Sequence, residues 1–211
     1  MRYVVTAGPT QEPIDPVRYI SNRSSGRMGY AVAEAAARAG HAVTLISGRV
    51  HLDAPPTTTL IPVTTTEEMF SAVAEQTQNA DVLVMCAAVA DYRPAQVSER
   101  KIKKTSDHLT LELVRTRDII GSLPPDRNFV VVGFAAETND VENYARKKLR
   151  DKNLDLMVAN DVSRSDIGME SAENEVTIYF RDGTTKQIAR TSKQNIAREL
   201  VKIISNMKKN V

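Results

Sequence analysis

The 211-residue chain has one cysteine, three histidines, a formal net charge of only +2 and no long apolar run. Each shortage closes off a class of protein. The single Cys86 cannot form an internal disulfide, and its place in the apolar run Val82-Leu83-Val84-Met85-Cys86-Ala87-Ala88 suits a core residue in a reducing compartment. Apolar neighbours raise a thiol's pKa, so Cys86 is read as packing rather than as a nucleophile. His41, His51 and His108 show no metal-like spacing and receive no role. No stretch approaches the roughly 18 apolar residues of a membrane span. The N-terminus opens directly into strand-like Arg2-Tyr3-Val4-Val5, without the basic and then apolar pattern of a leader. The expectation is a cytoplasmic chain that neither enters a membrane nor is exported. A charge so near zero gives no reason to expect nucleic acid as a partner.

What is present is an alternation of short β-branched runs with longer helical patterns. Strands are expected at residues 3–6, 42–47, 81–87, 129–134 and 154–159, and helices at 26–39, 67–78 and 141–152. This is βαβ grammar. The strands read as continuous apolar runs, the mark of a parallel sheet buried on both faces. The predicted fold class is therefore α/β, a Rossmann-like doubly wound parallel sheet. Two additions interrupt it. Residues 91–125 form an insertion too long for an idle loop, with polar 91–108, a strand-like 109–114 and a turn at 117–123. After Asn160 come a polar loop, a hairpin (175–180 and 184–188 about Arg181-Asp182-Gly183) and a last amphipathic helix at 193–207. One compact unit of 211 residues is expected, with the insertion as a flap or dimerisation arm.

The most informative stretch joins Thr6-Ala7-Gly8-Pro9-Thr10, after the first strand, to Asn22-Arg23-Ser24-Ser25-Gly26-Arg27-Met28-Gly29 at the start of the first helix. Strand, glycine turn and helix N-terminus make a phosphate site, because the first N–H groups of the helix lack intrahelical acceptors and its dipole is positive there. An ordinary dinucleotide site is disfavoured twice. About a dozen residues, Gln11 to Arg23, separate the strand turn from the helix glycines, so a compact G-x-G-x-x-G is absent. The second strand ends in Ser47-Gly48, where an NAD-binding unit places an acid for the ribose hydroxyls. Tyr144 and Lys148 match the Tyr-x-x-x-Lys pattern of short-chain dehydrogenases, so an NAD(P)-dependent oxidoreductase is the alternative reading; chance matches to so short a pattern are common.

Asp91 follows a core strand at the edge where open α/β sheets bind ligands, and suits a magnesium ion or a nucleotide as well as a plain turn. Lys101-Ile102-Lys103-Lys104 is a solvated charge run by itself; on a mobile arm, a lysine there would neutralise a transferring phosphoryl group. Lys148 and Lys152, four apart, share one helix face and can address one polyanion.

Taken together, Thr6–Thr10, Asp15-Pro16-Val17-Arg18-Tyr19-Ile20-Ser21-Asn22, Ser24–Gly29, Ala87-Ala88-Val89-Ala90-Asp91-Tyr92-Arg93, Lys101–Lys104, the segment 132–138 and Asn160-Asp161 resemble bacterial phosphopantothenate–cysteine ligase over about residues 3–162. That family is commonly the second half of a polypeptide whose first half is a flavin-dependent decarboxylase. Nothing here resembles that half, so no flavin is expected. The resemblance implies a CTP-dependent ligase of coenzyme A biosynthesis: the carboxylate of 4′-phosphopantothenate is activated to an acyl-cytidylate with release of pyrophosphate, and the amine of L-cysteine then displaces CMP. It further implies Asn22 and Lys101 as catalytic residues. Arg18, Gly8, Ser25, Gly26, Gly29, Ala87, Ala88, Asp91, Asp118, Ile119, Ile120, Phe134, Lys148 and Lys152 become substrate or nucleotide contacts, with Asp91 addressing Mg2+ on the triphosphate. The family is dimeric, which implies a homodimer. Two departures are local: Arg27 stands where many members have lysine, and Arg117 where many have proline.

Overall fold

The computed structural model describes residues 1–104, 107–161, 171 and 173–209. Its centre is an eight-stranded sheet built from β1 (Arg2–Ala7), β4 (Ala42–Ser47), β5 (Thr58–Pro62), β6 (Val82–Met85), β9 (Val130–Glu137), β10 (Leu156–Asp161), β11 (Glu173–Phe180) and β12 (Thr185–Ser192). Two ribbons lie outside it, β2 (Gln11–Pro13) with β3 (Tyr19–Ser21), and β7 (Tyr92–Pro94) with β8 (Leu113–Arg115). The helices are α1 (Arg27–Arg38), α2 (Thr66–Gln76), α3 (Val141–Asp151) and α4 (Lys193–Lys209). Strand order is β12-β11-β10-β9-β6-β1-β4-β5. The six strands from β10 to β5 run parallel, and β11 and β12 add antiparallel pairings at one edge.

The parallel sheet and its two covered faces are as expected, since β1 and β6 bury nearly every residue. Alternation along β1 sends Tyr3, Val5 and Ala7 into a core with α1 and α4, and Val4 into a second core with α2 and α3. Helix starts follow local chemistry. The Thr65 hydroxyl accepts from the Glu68 N–H while the Glu68 carboxylate accepts from the Thr65 N–H, a reciprocal cap that opens α2.

Several expectations need correction. The expected C-terminal hairpin forms, as β11 with β12, and β11 also pairs with β10, so that the hairpin extends the main sheet. The strand expected at 109–114 shrinks to Leu113–Arg115, as only these residues find a partner, in Tyr92–Pro94. The edge strand β5 and the β2–β3 ribbon were not expected: threonines rather than an apolar run make the first, and the second has three residues per strand. The polar loop after Asn160 lies largely outside the described residues.

A buried polar network fixes the loop that follows β6. Glu12, on β2 and only 2% exposed, accepts from the Thr66 N–H at 2.8 Å and its hydroxyl at 2.7 Å, at the positive end of α2. The Thr10 hydroxyl lies 3.2 Å from that of Thr66 and accepts from the Ala90 N–H. Thr116 in turn donates to the Ala90 carbonyl. Residues from β2, α2 and the insertion thereby hold one loop, 87–91, at the carboxyl edge of the sheet.

Candidate active site

At that edge opens a cleft of about 680 Å3. Its floor is the carboxyl end of β6 and the turn after it. Thr6, fully buried on β1, accepts through its hydroxyl from the N–H groups of Cys86 and Ala87, and the Ala88 N–H donates to the Gly8 carbonyl. The Ala88 carbonyl accepts from the Thr10 N–H and from the Asn22 Nδ2 at 3.1 Å. Asn22 is thus held by its side chain at the cleft rim.

One wall is the N-terminus of α1. Gly26 precedes it with φ 76°, a left-handed conformation in which a Cβ would also press on Val50 and on the Gly8 backbone. No side chain caps this terminus and no acid occupies its first turn, so its positive end faces the cleft beside Ser25 and Gly29. The opposite wall combines α3 with the turn after β8. Lys148 pairs with Glu137 at 2.7 Å and Lys152 with Asp118 at 3.2 Å, both half-exposed. Asp118 also accepts from the Gly121 N–H, which ties the 118–121 turn to the lysine above it. Arg117 stacks on Phe70 at 4.2 Å and reaches Glu67 on α2, so an arginine is accommodated there by the neighbouring helix.

Of the residues singled out from sequence, Asn22, Ser25, Gly26, Gly29, Ala87, Ala88, Asp91, Asp118, Ile119, Ile120, Phe134, Lys148 and Lys152 line the cleft. Gly8 lies directly beneath Gly26. Two sit elsewhere. Arg18 turns to Asp15, whose carboxyl its guanidinium holds well below the usual carboxylate range, and donates to the Ile102 carbonyl at 3.0 Å. Asp15 accepts from the Ile102 N–H. This latch binds the start of the lysine run to the β2–β3 ribbon and leaves Lys101 exposed, outside the cleft lining. Sequence reasoning missed Lys193, Asn174 and a role for Asn160, which enter the cleft from α4, β11 and β10 respectively. No local motif marks them.

Cys86 reaches the cleft and is half-buried rather than sealed in the core. Burial nevertheless pushes its thiol up to about 12, against the opposing pull of Lys193, so it stays protonated at neutral pH. No histidine is among the lining residues. Among the described residues, no group of three or more His, Cys, Asp or Glu side chains is placed to hold a metal. None of the helices is long and apolar enough to cross a membrane, again among the described residues.

The oxidoreductase alternative finds no support. A Cβ on Gly48 would lie 1.9 Å from the Pro9 carbonyl oxygen, so the loop after β1 covers the place where a ribose-binding acid would stand. Tyr144 is exposed on α3 and absent from the cleft lining, while Lys148 is engaged by Glu137.

Fold and cleft define a Rossmann-like α/β protein with a cleft at the carboxyl edge of its sheet, lined by an uncapped helix N-terminus and by lysines. The family described as the DNA/pantothenate metabolism flavoprotein C-terminal domain matches residues 1–207, and the chain belongs to it. It is 49% identical over 209 residues to the coenzyme A biosynthesis bifunctional protein CoaBC of Vibrio vulnificus (strain YJ016), covering 97% of this chain and 52% of that protein. Identity to the protein of the same name from Bacillus subtilis (strain 168) is 47% over 208 residues, covering 98% and 51%. The chain thus spans about half the length of the curated relatives it matches. A crystal structure of the C-terminal domain of a CoaBC protein superimposes with a TM-score of 0.86 at 42% identity, covering 100% of this chain and 96% of that one.

Proposed function

We propose that this chain joins 4′-phosphopantothenate to L-cysteine with CTP, working as one nucleotide-binding ligase unit of coenzyme A biosynthesis in the cytoplasm. The observation that carries the reading is the gathering of Asn22, Asp91, Asp118, Lys148 and Lys152 with an uncapped helix N-terminus about one cleft without a histidine. Amide formation through an acyl-nucleotide needs no protein nucleophile; it needs cations where pyrophosphate departs and donors where the carbonyl oxygen gains charge. Membership of the family supports the same chemistry.

In this reading Lys148 and Lys152 leave Glu137 and Asp118 for the more highly charged triphosphate, and Phe134, Ile119 and Ile120 pack on the nucleoside. The substrate carboxylate attacks the α-phosphorus, the bond to the β-phosphate breaks, and pyrophosphate leaves. The cysteine amine then adds to the acyl carbon, loses a proton and expels CMP. Asn22 is the donor to that acyl oxygen. Asp91, a cleft-lining carboxylate, would hold Mg2+ together with the phosphates of the nucleotide, and the ion would supply charge neutralisation there. No flavin takes part. The direct test is CMP and pyrophosphate release when phosphopantothenate, CTP, Mg2+ and cysteine are supplied together; release of neither removes the proposal.

Lys101, poised on the latched segment, is proposed to reach the transferring phosphoryl group as the arm closes. Lys101→Gln is then expected to lower turnover strongly while CTP affinity stays within about tenfold. Unchanged turnover returns the lysine run to a solvated face.

A homodimer is the proposed assembly. Val17, Tyr19, Tyr92, Val97, Leu109 and Leu113 are large, apolar and 43–59% exposed, and all belong to the two ribbons and the insertion. Exposed apolar side chains concentrated on these segments favour a self-complementary partner. Light scattering is expected to give twice the 23.3 kDa chain mass. A monomer at micromolar concentration would refute this.

A further inference from the structure

Thr10, the last residue before β2, is completely buried and lies behind the cleft rather than in its lining. Its polar groups are divided between two segments that meet at the rim. The carbonyl accepts from the Ser21 hydroxyl at 2.7 Å, one residue before Asn22. The N–H donates at 3.2 Å to the Ala88 carbonyl, the same oxygen that accepts from the Asn22 Nδ2 at 3.1 Å. The hydroxyl accepts from the Ala90 N–H at 2.9 Å. One buried threonine thus grips both the residue beside Asn22 and the loop that aims it.

The direction of the hydroxyl is set from further back. The buried Glu12 carboxylate can only accept. The Thr66 hydroxyl lies 2.7 Å from that carboxylate and 3.5 Å from the Ala90 carbonyl, so its proton goes to the carboxylate. The Thr66 oxygen is then left to accept from the Thr10 hydroxyl 3.2 Å away, and the Thr10 oxygen to accept from Ala90. Every donor from Ala90 to Glu12 faces the same way, and each bond polarises the next. The Thr10 hydroxyl is the link that joins a buried charge to the strand-end loop.

We propose that Thr10 is a positioning residue for aminolysis, holding the 87–91 loop where its Ala88 carbonyl orients Asn22. The inference rests on the ligase reading for the reaction that Asn22 serves. Thr10 acts through Asn22 and that residue's acceptor.

Thr10→Val keeps the shape and removes the hydroxyl, so the Ala90 N–H loses its acceptor, whereas Thr10→Ser keeps the hydroxyl. Aminolysis of preformed acyl-cytidylate is expected to slow about 10- to 100-fold in the Val variant, the loss that a misplacement of up to about 1 Å brings. CTP affinity should stay within about tenfold, and Thr10→Ser should recover most of the rate. In an Asn22→Ala background, Thr10→Val is expected to slow aminolysis no further, because the group it serves is gone. A threonine that only stabilised the fold would cost the same factor in both backgrounds. Should Thr10→Val fail to fold, Thr66→Val breaks the chain one bond further back and is expected to slow aminolysis in the same sense. Additive effects overturn the proposal, as does a Ser variant as slow as Val, or the parent rate in a folded Thr10→Val or Thr66→Val chain. A second measurement needs no turnover. By nuclear magnetic resonance, the Asn22 side-chain amide is expected to exchange its protons with solvent about tenfold faster in Thr10→Val. Unchanged exchange also overturns the proposal. If the parent chain makes no acyl-cytidylate while this exchange still depends on Thr10, the ligase reading fails and the role of Thr10 in orienting Asn22 stands.

Discussion

Asn22→Asp is expected to make acyl-cytidylate and pyrophosphate without cysteine, then to accumulate that intermediate when cysteine is added, with aminolysis slowed about 10²–10³-fold. Asn22 donates through Nδ2 to the Ala88 carbonyl at 3.1 Å, which fixes the amide at the rim where the acyl group is to lie. An amide nitrogen carries two hydrogens, so one is spent on positioning and one remains for an acyl oxygen. Aspartate has none at neutral pH. It sets a negative charge against both the Ala88 carbonyl and the oxygen that becomes negative when the amine attacks. Activation develops its charge on phosphate instead and should suffer less. Rapid-quench separation of the two half-reactions checks this. A folded Asn22→Asp chain that converts the preformed intermediate at the parent rate removes Asn22 from the chemistry and leaves it as a turn residue, worth about 1 kcal/mol of stability.

Gly48→Ala is expected to be the most destabilising small change near the cleft, by about 3 kcal/mol or more, and to lower Tm by roughly 10 °C. The added Cβ would stand 1.9 Å from the Pro9 carbonyl oxygen and 2.8 Å from its carbon. These are backbone atoms, and the segment cannot swing aside at low cost. The Thr10 N–H donates to the Ala88 carbonyl, the Ala88 N–H to the Gly8 carbonyl, and Gly8 supports Gly26. Moving Pro9 thus disturbs the phosphate turn and the strand-end loop together. Urea unfolding of the variant gives the answer; an unchanged midpoint would mean that the β1 loop relaxes freely. The same contact explains why no acid stands at the end of β4: a larger side chain at 48 and the covering loop exclude each other.

The order of the central strands and of the helices, and the glycine turn before α1, were legible in the sequence because each rests on neighbours along the chain. Periodicity separates β6 from α1 within a few residues, and the Gly26 turn needs only a residue tolerant of positive φ before a helix start. The α3 lysines were legible for the same reason, since a spacing of four on a helix fixes one face. Arg18 shows the limit. Its charge and position suited an anion site, yet the buried Asp15 beside it captures the guanidinium and turns it into a latch on Ile102. A charge run such as 101–104 reads alike whether it faces water or a ligand.

By itself the sequence determined the α/β class, the two buried faces of the sheet, the glycine turn at the first helix and the family resemblance. All four are written in contiguous segments whose local geometry is nearly forced. Only the tertiary structure decided that the hairpin continues the sheet, that Thr10, Glu12 and Thr66 pin the loop carrying Ala88, and that Lys193 and Arg27 line one cleft. Those contacts join residues far apart in the chain, and what sets them is the packing of helices on both faces of a shared sheet, which no local pattern encodes.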